Sequence, residues 1–194
     1  IAKENKAQEL FEWMWIKSPS IQIWLKRHER FTITNALMSI VGYIIGLGDR
    51  HPSNLMIQRK TGSLSHIDFG ESFETTNQRK NFPEKVPFRL TRMIAKNLFG
   101  GNTHGYFRDI CLLTMSIMRE NLLSLVSQLV LFIHEPLNNQ INEKAIHRIA
   151  LKLQGLEFEQ GKQYNIFEQV EKLINIAEDP NIYIQHYPGW CPFW

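Results

Sequence analysis

From Ile33 to Leu47 nearly every residue is apolar or small, with Ala36, Leu37, Ile40, Val41, Ile44 and Ile45 at its heart. Directly behind it comes the polar run Gly48-Asp49-Arg50-His51-Pro52-Ser53-Asn54. A helix that is apolar all round must be enclosed by protein or by lipid. At about fifteen residues this one falls short of the roughly 18–20 that span a bilayer, so it reads as a core helix whose end delivers a polar loop. Enclosing it takes a sizeable domain. The 194 residues, 43% hydrophobic and 21% charged, suffice for one such domain and not for two large ones.

Helical periodicity dominates elsewhere. Residues 4–17 carry Leu10, Phe11, Met14 and Trp15 at amphipathic spacing, Ser18-Pro19-Ser20 interrupts, and a short second element begins over Ile21 to Leu25. Tyr106, Ile110, Leu113 and Ile117 open a helical pattern that continues through Leu122, Val126, Leu129 and Ile133 until Pro136. Asn142 to Leu153 is another helix, ended by Gly155, and Asn165 with Glu168 predicts a capping box before Ile166, Val170, Leu173, Ile174 and Ala177. Leu55 to Arg59 and Leu64 to Ile67 are strand-like runs around the turn signal Lys60-Thr61-Gly62-Ser63. Residues 69–92 have no period and hold Pro83 and Pro87, which predicts a long loop, usually a functional one. The fold class is therefore mainly α with a small β-hairpin.

Charge narrows the function. A formal net charge of +3 is not the footprint of a nucleic-acid binder. Residues 1–154 carry 20 basic and 13 acidic side chains, whereas residues 155–194 carry 2 and 6, so an acidic tail is expected to pack on a basic body. Two cysteines, Cys111 and Cys191, cannot form a disulfide framework, which favours a reducing intracellular setting. The chain begins at Ile1 without a leader, and reads as a piece of a longer protein.

The chemistry concentrates in the polar run and in His66-Ile67-Asp68-Phe69-Gly70. Asn54 and Asp68 each lie seven residues from Thr61, so a hairpin symmetric about Thr61 would set them side by side at its open end. An amide oxygen and a carboxylate converging there form a hard, oxygen-only site suited to Mg²⁺ with waters and phosphate, and Asp49 could reach the same centre. Protein kinases use His-Arg-Asp, four residues, then Asn, followed by Asp-Phe-Gly. Here Asp49 and Asn54 keep that separation, Asp68-Phe69-Gly70 is intact, and the triplet is reversed to Asp-Arg-His. Singly, Asp49 could be a cap and Asn54 a turn residue; the joint spacing argues otherwise. His66 reads as a structural histidine supporting the loop. Gly46-x-Gly48 is no dinucleotide fingerprint, because His51 takes the third glycine position and a helix, not a strand, precedes it.

The reversed triplet carries a family resemblance. Gly46 to Met56, His66 to Gly70 and Phe82-Pro-Glu-Lys-Val-Pro-Phe-Arg-Leu-Thr-Arg-Met93 resemble the phosphatidylinositol 3-kinase-related protein kinases. With Trp15 to Ser20 and Gly189-Trp-Cys-Pro-Phe-Trp194, the likeness is to the target-of-rapamycin (TOR) branch. It covers roughly residues 10–194 and implies a kinase C-terminal lobe over 1–154, with catalytic loop 46–54 and activation loop 66–91, and a FATC-like segment over 155–194. It further implies that Asp49 orients or deprotonates the acceptor hydroxyl and that His51 contacts the transferring phosphate. Asn54 and Asp68 would bind Mg²⁺ (or Mn²⁺), and Met56 and Ile67 would line the floor under the adenine of ATP. The implied partners are protein substrates, large scaffold subunits and a WD40 propeller subunit, whose docking insertion would fall mostly before residues 1–12. The implied location is cytoplasmic, with endomembrane and nuclear pools as alternatives. In that branch a second cysteine commonly precedes the one matching Cys191; here Ile184 stands near that position.

Residues 68–92 hold Arg79, Lys80, Lys85, Arg89 and Arg92 against Asp68, Glu71, Glu74 and Glu84. A loop gripping a phosphorylated inositol should be strongly basic, so the mixed charge favours a protein hydroxyl over a phosphoinositide. Tyr183, Tyr187, Trp190, Phe193 and Trp194 either dock on the lobe or anchor the tail at a membrane interface; the short stretch without a basic face favours docking. A non-catalytic scaffold lobe and a metal-dependent hydrolase on His51, His66 and Asp68 are the remaining alternatives. No glycine-rich phosphate loop and no strand Val-Ala-x-Lys occur, so the N-terminal lobe is expected to be missing and the chain by itself to be inert.

Overall fold

The computed structural model describes residues 6–133 and 143–192. Within them the chain is mostly helical, and β1 (Leu55–Ile57) and β2 (Leu64–His66) form a two-stranded antiparallel sheet. The predicted core helix is part of α2 (Ile21–Ile45), which follows α1 (Glu9–Ile16). The element expected at Ile21 is not separate from it. Lys26 to Thr32 contain no proline or glycine, so the helix that starts at the Ser20 cap has nothing to stop it.

Helix α2 ends in a Schellman motif. Gly46 takes φ 64°, and the Gly46 and Leu47 N–H groups donate back to Tyr43 O and Gly42 O. The core is α2 packed on α4 (Arg108–Glu120), with α7 (Ile166–Glu178) on the far side of α4. Phe31, Ala36 and Ile40 of α2, Phe107, Cys111 and Met115, and Val170 and Ile174 of α7 are all fully buried. Each large apolar side chain sequestered in this way contributes roughly 1.5–3 kcal/mol. Burial also pushes the Cys111 thiol far up, so it behaves as a small apolar residue.

The helix expected to run on to Ile133 breaks at Asn121, and α5 (Leu122–Ile133) leaves at a bend of 68°. Asn121 Nδ2 donates to Ile117 O, a side chain competing with the helix ladder. Pro136 lies outside the described residues. No single helix among the described residues is long and apolar enough to cross a membrane. Helix α6 (Glu143–Gln154) packs on α5, and α7 begins with the predicted capping box of Asn165 and Glu168. Helices α3 (Arg92–Lys96) and α8 (Pro180–Tyr183) are short.

The loop after β2 is pinned rather than draped. Phe73 and Glu74 N–H donate to Ile45 O and Gly46 O at 2.9 and 2.8 Å, and Gly48 N–H donates to Glu71 O at 2.8 Å. From the other side Arg148 Nε and Lys152 Nζ of α6 reach the Glu74 carboxylate at 2.7 and 2.6 Å, and Lys152 also donates to Tyr43 O. The approach is close enough that a Cβ on Gly46 would lie 2.7 Å from Glu74 N. Gly46→Ala therefore combines a left-handed φ with a backbone clash. It should lower stability by about 1–3 kcal/mol, read as a drop in denaturation midpoint with faster proteolysis within residues 70–80; an unchanged midpoint would contradict this packing.

Candidate active site

The end of α2 presents the polar loop to one end of the hairpin. There the register departs from expectation. Leu55 pairs with His66 and Ile57 with Leu64, and Ile67 N–H donates to Asn54 O, so Ile67 and not Asp68 stands opposite Asn54. The turn closes through Gln58 and Ser63, with Gly62 at φ 78°. Its four-residue loop centres the hairpin between Lys60 and Thr61, not on Thr61.

Asp68 leaves the strand with φ 59°, and Asp49 on the facing loop has φ 58°. Left-handed backbone is uncommon outside glycine, tolerated best by Asn and Asp, and is held only where surroundings over-determine it. Here the surroundings are Arg50. Its buried guanidinium donates from Nε to Gly48 O (2.7 Å), from Nη1 to Ile67 O (2.8 Å) and from Nη2 to Asp68 O. One side chain thus joins the two segments whose aspartates the sequence singles out.

The remaining candidates fall around this staple. Asn54, 6% exposed, donates from Nδ2 to Asp49 O at 2.9 Å, which leaves its Oδ1 as an acceptor. The exposed Asp68 carboxylate accepts from Gly70 N–H at 3.1 Å. His51 Nδ1 accepts from Ser53 N–H, and Nε2 lies 3.8 Å from Asp49 Oδ2. Met56 and Ile67, 55% and 44% exposed, lie on the hairpin face opposite the buried Leu64. As a donor set, Asn54 and Asp68 fit a hard divalent cation that keeps waters and takes phosphate oxygens. Among the described residues no three His, Cys, Asp or Glu side chains gather into a metal cage, and His66 is held neutral down to about pH 4 by burial beside Arg50. The hydrolase on His51, His66 and Asp68 finds no support in that arrangement.

Three residues that stand in the quoted motifs without an assigned role complete the site. Arg50 is one. Glu84, 4% exposed, accepts the Asp49 N–H on both carboxylate oxygens at 2.9 Å, and burial pushes its pKa up. Arg89, 6% exposed, donates to Trp190 O, to Cys191 O at 3.0 Å and to Arg50 O at 3.4 Å, and stacks on the Trp190 ring. Glu84 and Arg89 stand in the Phe82–Met93 stretch, where the sequence shows them as motif positions and loop charges with no partner.

The tail docks through this strap. Trp190 is fully buried, Tyr183 is 6% exposed, and Leu90 N–H donates to Tyr183 Oη at 2.9 Å. Phe193 and Trp194 lie outside the described residues. Ion pairs between body and tail are few among the described residues: the Arg108–Glu171 pair at 3.3 Å and the contacts of His104 with Glu171 and Glu178, beside which Arg119 of α4 donates to Gln169 Oε1 of α7 and to Tyr164 O.

A helical lobe with a short hairpin, an Asp-Arg-His loop and an Asp-Phe-Gly turn is the C-terminal lobe of a phosphatidylinositol 3-kinase-like kinase fold. Comparison with known proteins agrees. The family model described as phosphatidylinositol 3- and 4-kinase matches residues 2–140, and that of the FATC domain matches residues 165–194. The chain belongs to the phosphatidylinositol 3- and 4-kinase family and carries a FATC domain. It is 36% identical to serine/threonine-protein kinase TOR2 of Saccharomyces cerevisiae and 34% identical to serine/threonine-protein kinase mTor of Drosophila melanogaster, over 98% of its length in both cases. It spans about a tenth of the length of those curated relatives (10% of each). The FAT and kinase domain of CtTel1 superposes with a TM-score of 0.87 at 30% identity, covering 95% of this chain and 14% of that one.

His186 gives the docked tail a pH dependence. The ring centroid lies 4.4 Å from that of Trp190 and 6.0 Å from that of Tyr183, and Nδ1 is 3.2 Å from Ile182 O. Burial holds its pKa below the ordinary 6.5, with Arg89 adding to the effect. An undocked imidazole takes up a proton near that value and the docked one does not. The tail's attachment is therefore full above pH 6.5 and weakens as pH falls below it. Amide exchange over residues 183–191 should rise on acidification, and His186→Gln should flatten the profile; a profile unchanged by the substitution would contradict the assignment.

Proposed function

We propose that the chain is the C-terminal catalytic lobe of a TOR-type serine/threonine protein kinase, which transfers the γ-phosphate of ATP to protein hydroxyls in growth and nutrient signalling. The observation that carries this is the Arg50 staple, which holds Asp49 and Asp68 in left-handed backbone on two facing segments. Asp49 orients the acceptor hydroxyl and takes its proton at a carboxylate oxygen. His51, next to that carboxylate, contacts the transferring phosphate. Asn54 Oδ1 and the Asp68 carboxylate would hold Mg²⁺ or Mn²⁺, which would supply charge neutralisation to the phosphates. Met56 and Ile67 present an apolar surface for the adenine, closed from above by an N-terminal lobe.

The substrate follows from how the loop's charges are used. Arg79 is paired with Glu71 at 3.0 Å, Arg89 is committed to the tail, and Glu74 is taken by Arg148 and Lys152. Lys80, Lys85 and Arg92 are the loop's exposed basic side chains, too few to cage a multiply phosphorylated inositol. A protein Ser or Thr fits better, in keeping with relatives named serine/threonine-protein kinases. By the same likeness, large scaffold subunits and a WD40 propeller subunit are the partners we propose, with a cytoplasmic location that extends to endomembranes or the nucleus.

In the complete kinase, Asp49→Ala or Asp68→Ala should lower kcat by at least about 10²-fold with the lobe still folded, while residues 1–194 alone transfer no phosphate. Full turnover by either variant, or robust activity from the isolated lobe, would contradict the reading.

A further inference from the structure

Glu84 is a buried carboxylate with no Lys or Arg within ion-pair distance among the described residues, and its hydrogen-bond partner is a backbone amide. Buried carboxylates are rare without a cation, because desolvation has to be offset by strong hydrogen bonds. That amide belongs to Asp49, whose N–H lies 2.9 Å from both Glu84 oxygens. The Asp49 carbonyl is held by Asn54 Nδ2, also at 2.9 Å. The preceding residue is fixed as well: Gly48 N–H donates to Glu71 O, and Gly48 O accepts from Arg50 Nε. Every polar backbone group of residues 48 and 49 is thus engaged, and the left-handed φ of Asp49 leaves only its side-chain torsions free. Its carboxylate then sits 3.8 Å from His51 Nε2 and 4.0 Å from Arg79 Nη1, with about a quarter of the side chain open to solvent.

Resting on the reading of Asp49 as the catalytic aspartate, we infer that Glu84 is its positioning residue: an activation-loop carboxylate that locks the Gly48–Asp49 peptide and so aims the Asp49 carboxylate at the acceptor hydroxyl. Without Glu84 the Asp49 N–H loses its acceptor, and the Gly48–Asp49 peptide, held then only through its carbonyl by Arg50 Nε, can tilt away from the setting that aims Asp49. A shift of about 1 Å in a catalytic group can cost on the order of 10²-fold in rate. The adenine floor at Met56 and Ile67 does not depend on this peptide. The effect therefore falls on turnover, not on nucleotide binding. The folding of the activation loop thereby sets the geometry of the base as well as offering a surface to the substrate.

The test uses the complete kinase with ATP and a protein substrate. Glu84→Ala should lower kcat by about 10- to 100-fold with KM for ATP within about twofold. Glu84→Gln keeps the shape and one acceptor oxygen, so it should fold like the parent and recover part of the rate. In the Asp49→Ala background, adding Glu84→Gln should cost nothing further, because the group it positions is gone. An unchanged kcat in Glu84→Gln and Glu84→Ala, a parallel loss of kcat and ATP affinity, or a fully additive double variant would each overturn the inference. Retention of full activity by Asp49→Ala alone would instead overturn the reading of the site on which it rests.

Discussion

The Arg50 guanidinium is the contact on which the site depends. It is buried between the end of α2 and the exit of β2, and it donates to three carbonyls on two segments. Hydrogen bonds from a charged donor contribute about 1.5–3 kcal/mol each, against a desolvation cost of several kcal/mol for burying the charge. Net stability is therefore a poor measure of what Arg50 does. What it secures is geometry: between the Ile67–Asn54 and Gly48–Glu71 backbone pairs it locks the two segments that carry Asp49 and Asp68 at a fixed separation. Replacing the guanidinium with an aliphatic chain would leave those carbonyls without their donor, a larger penalty than the contact's net worth.

Around that staple the local strain becomes intelligible. Asp49, Asp68, Phe73 and Glu74 all take positive φ, and each is held by groups from another segment. Glu84 grips the peptide of Asp49, Arg50 grips the carbonyl of Asp68, and Arg148 and Lys152 grip Phe73 and Glu74 from α6. Left-handed residues of this kind cost of order 1–3 kcal/mol apiece, and only a fully assembled lobe can sustain them together. The tail belongs to the same assembly: Arg89 joins Arg50 O to Trp190 O and Cys191 O, and Tyr183 holds the next residue of the strap.

Much of this was legible in the sequence, for definite reasons. The enclosed helix, the hairpin, the Asn165 cap and the docking of Trp190 follow from periodicity, turn chemistry and side-chain size, which act locally. The candidate residues Asp49, Asn54 and Asp68 were legible because their types and spacing are rare in combination. The hairpin register was not, since one residue more or less in the turn changes the pairing and the sequence Lys60-Thr61-Gly62-Ser63 allows either. Arg50, Glu84 and Arg89 were not legible as site residues because their partners are backbone amides and carbonyls. Nothing in the sequence labels those partners, and the contact exists only once distant segments have met.

The loop over residues 48–54, the loop over residues 68–92 and the tail form one mechanical unit, joined through Arg89 and Arg50. Amide hydrogen exchange on the complete protein carrying Arg89→Met tests it most directly. If the segments are coupled, protection falls in residues 183–191 and in residues 48–54 together, although residues 48–54 contain no substitution. Loss of protection confined to the tail, with residues 48–54 exchanging as in the parent, would show that the site stands without the tail and would contradict this coupling.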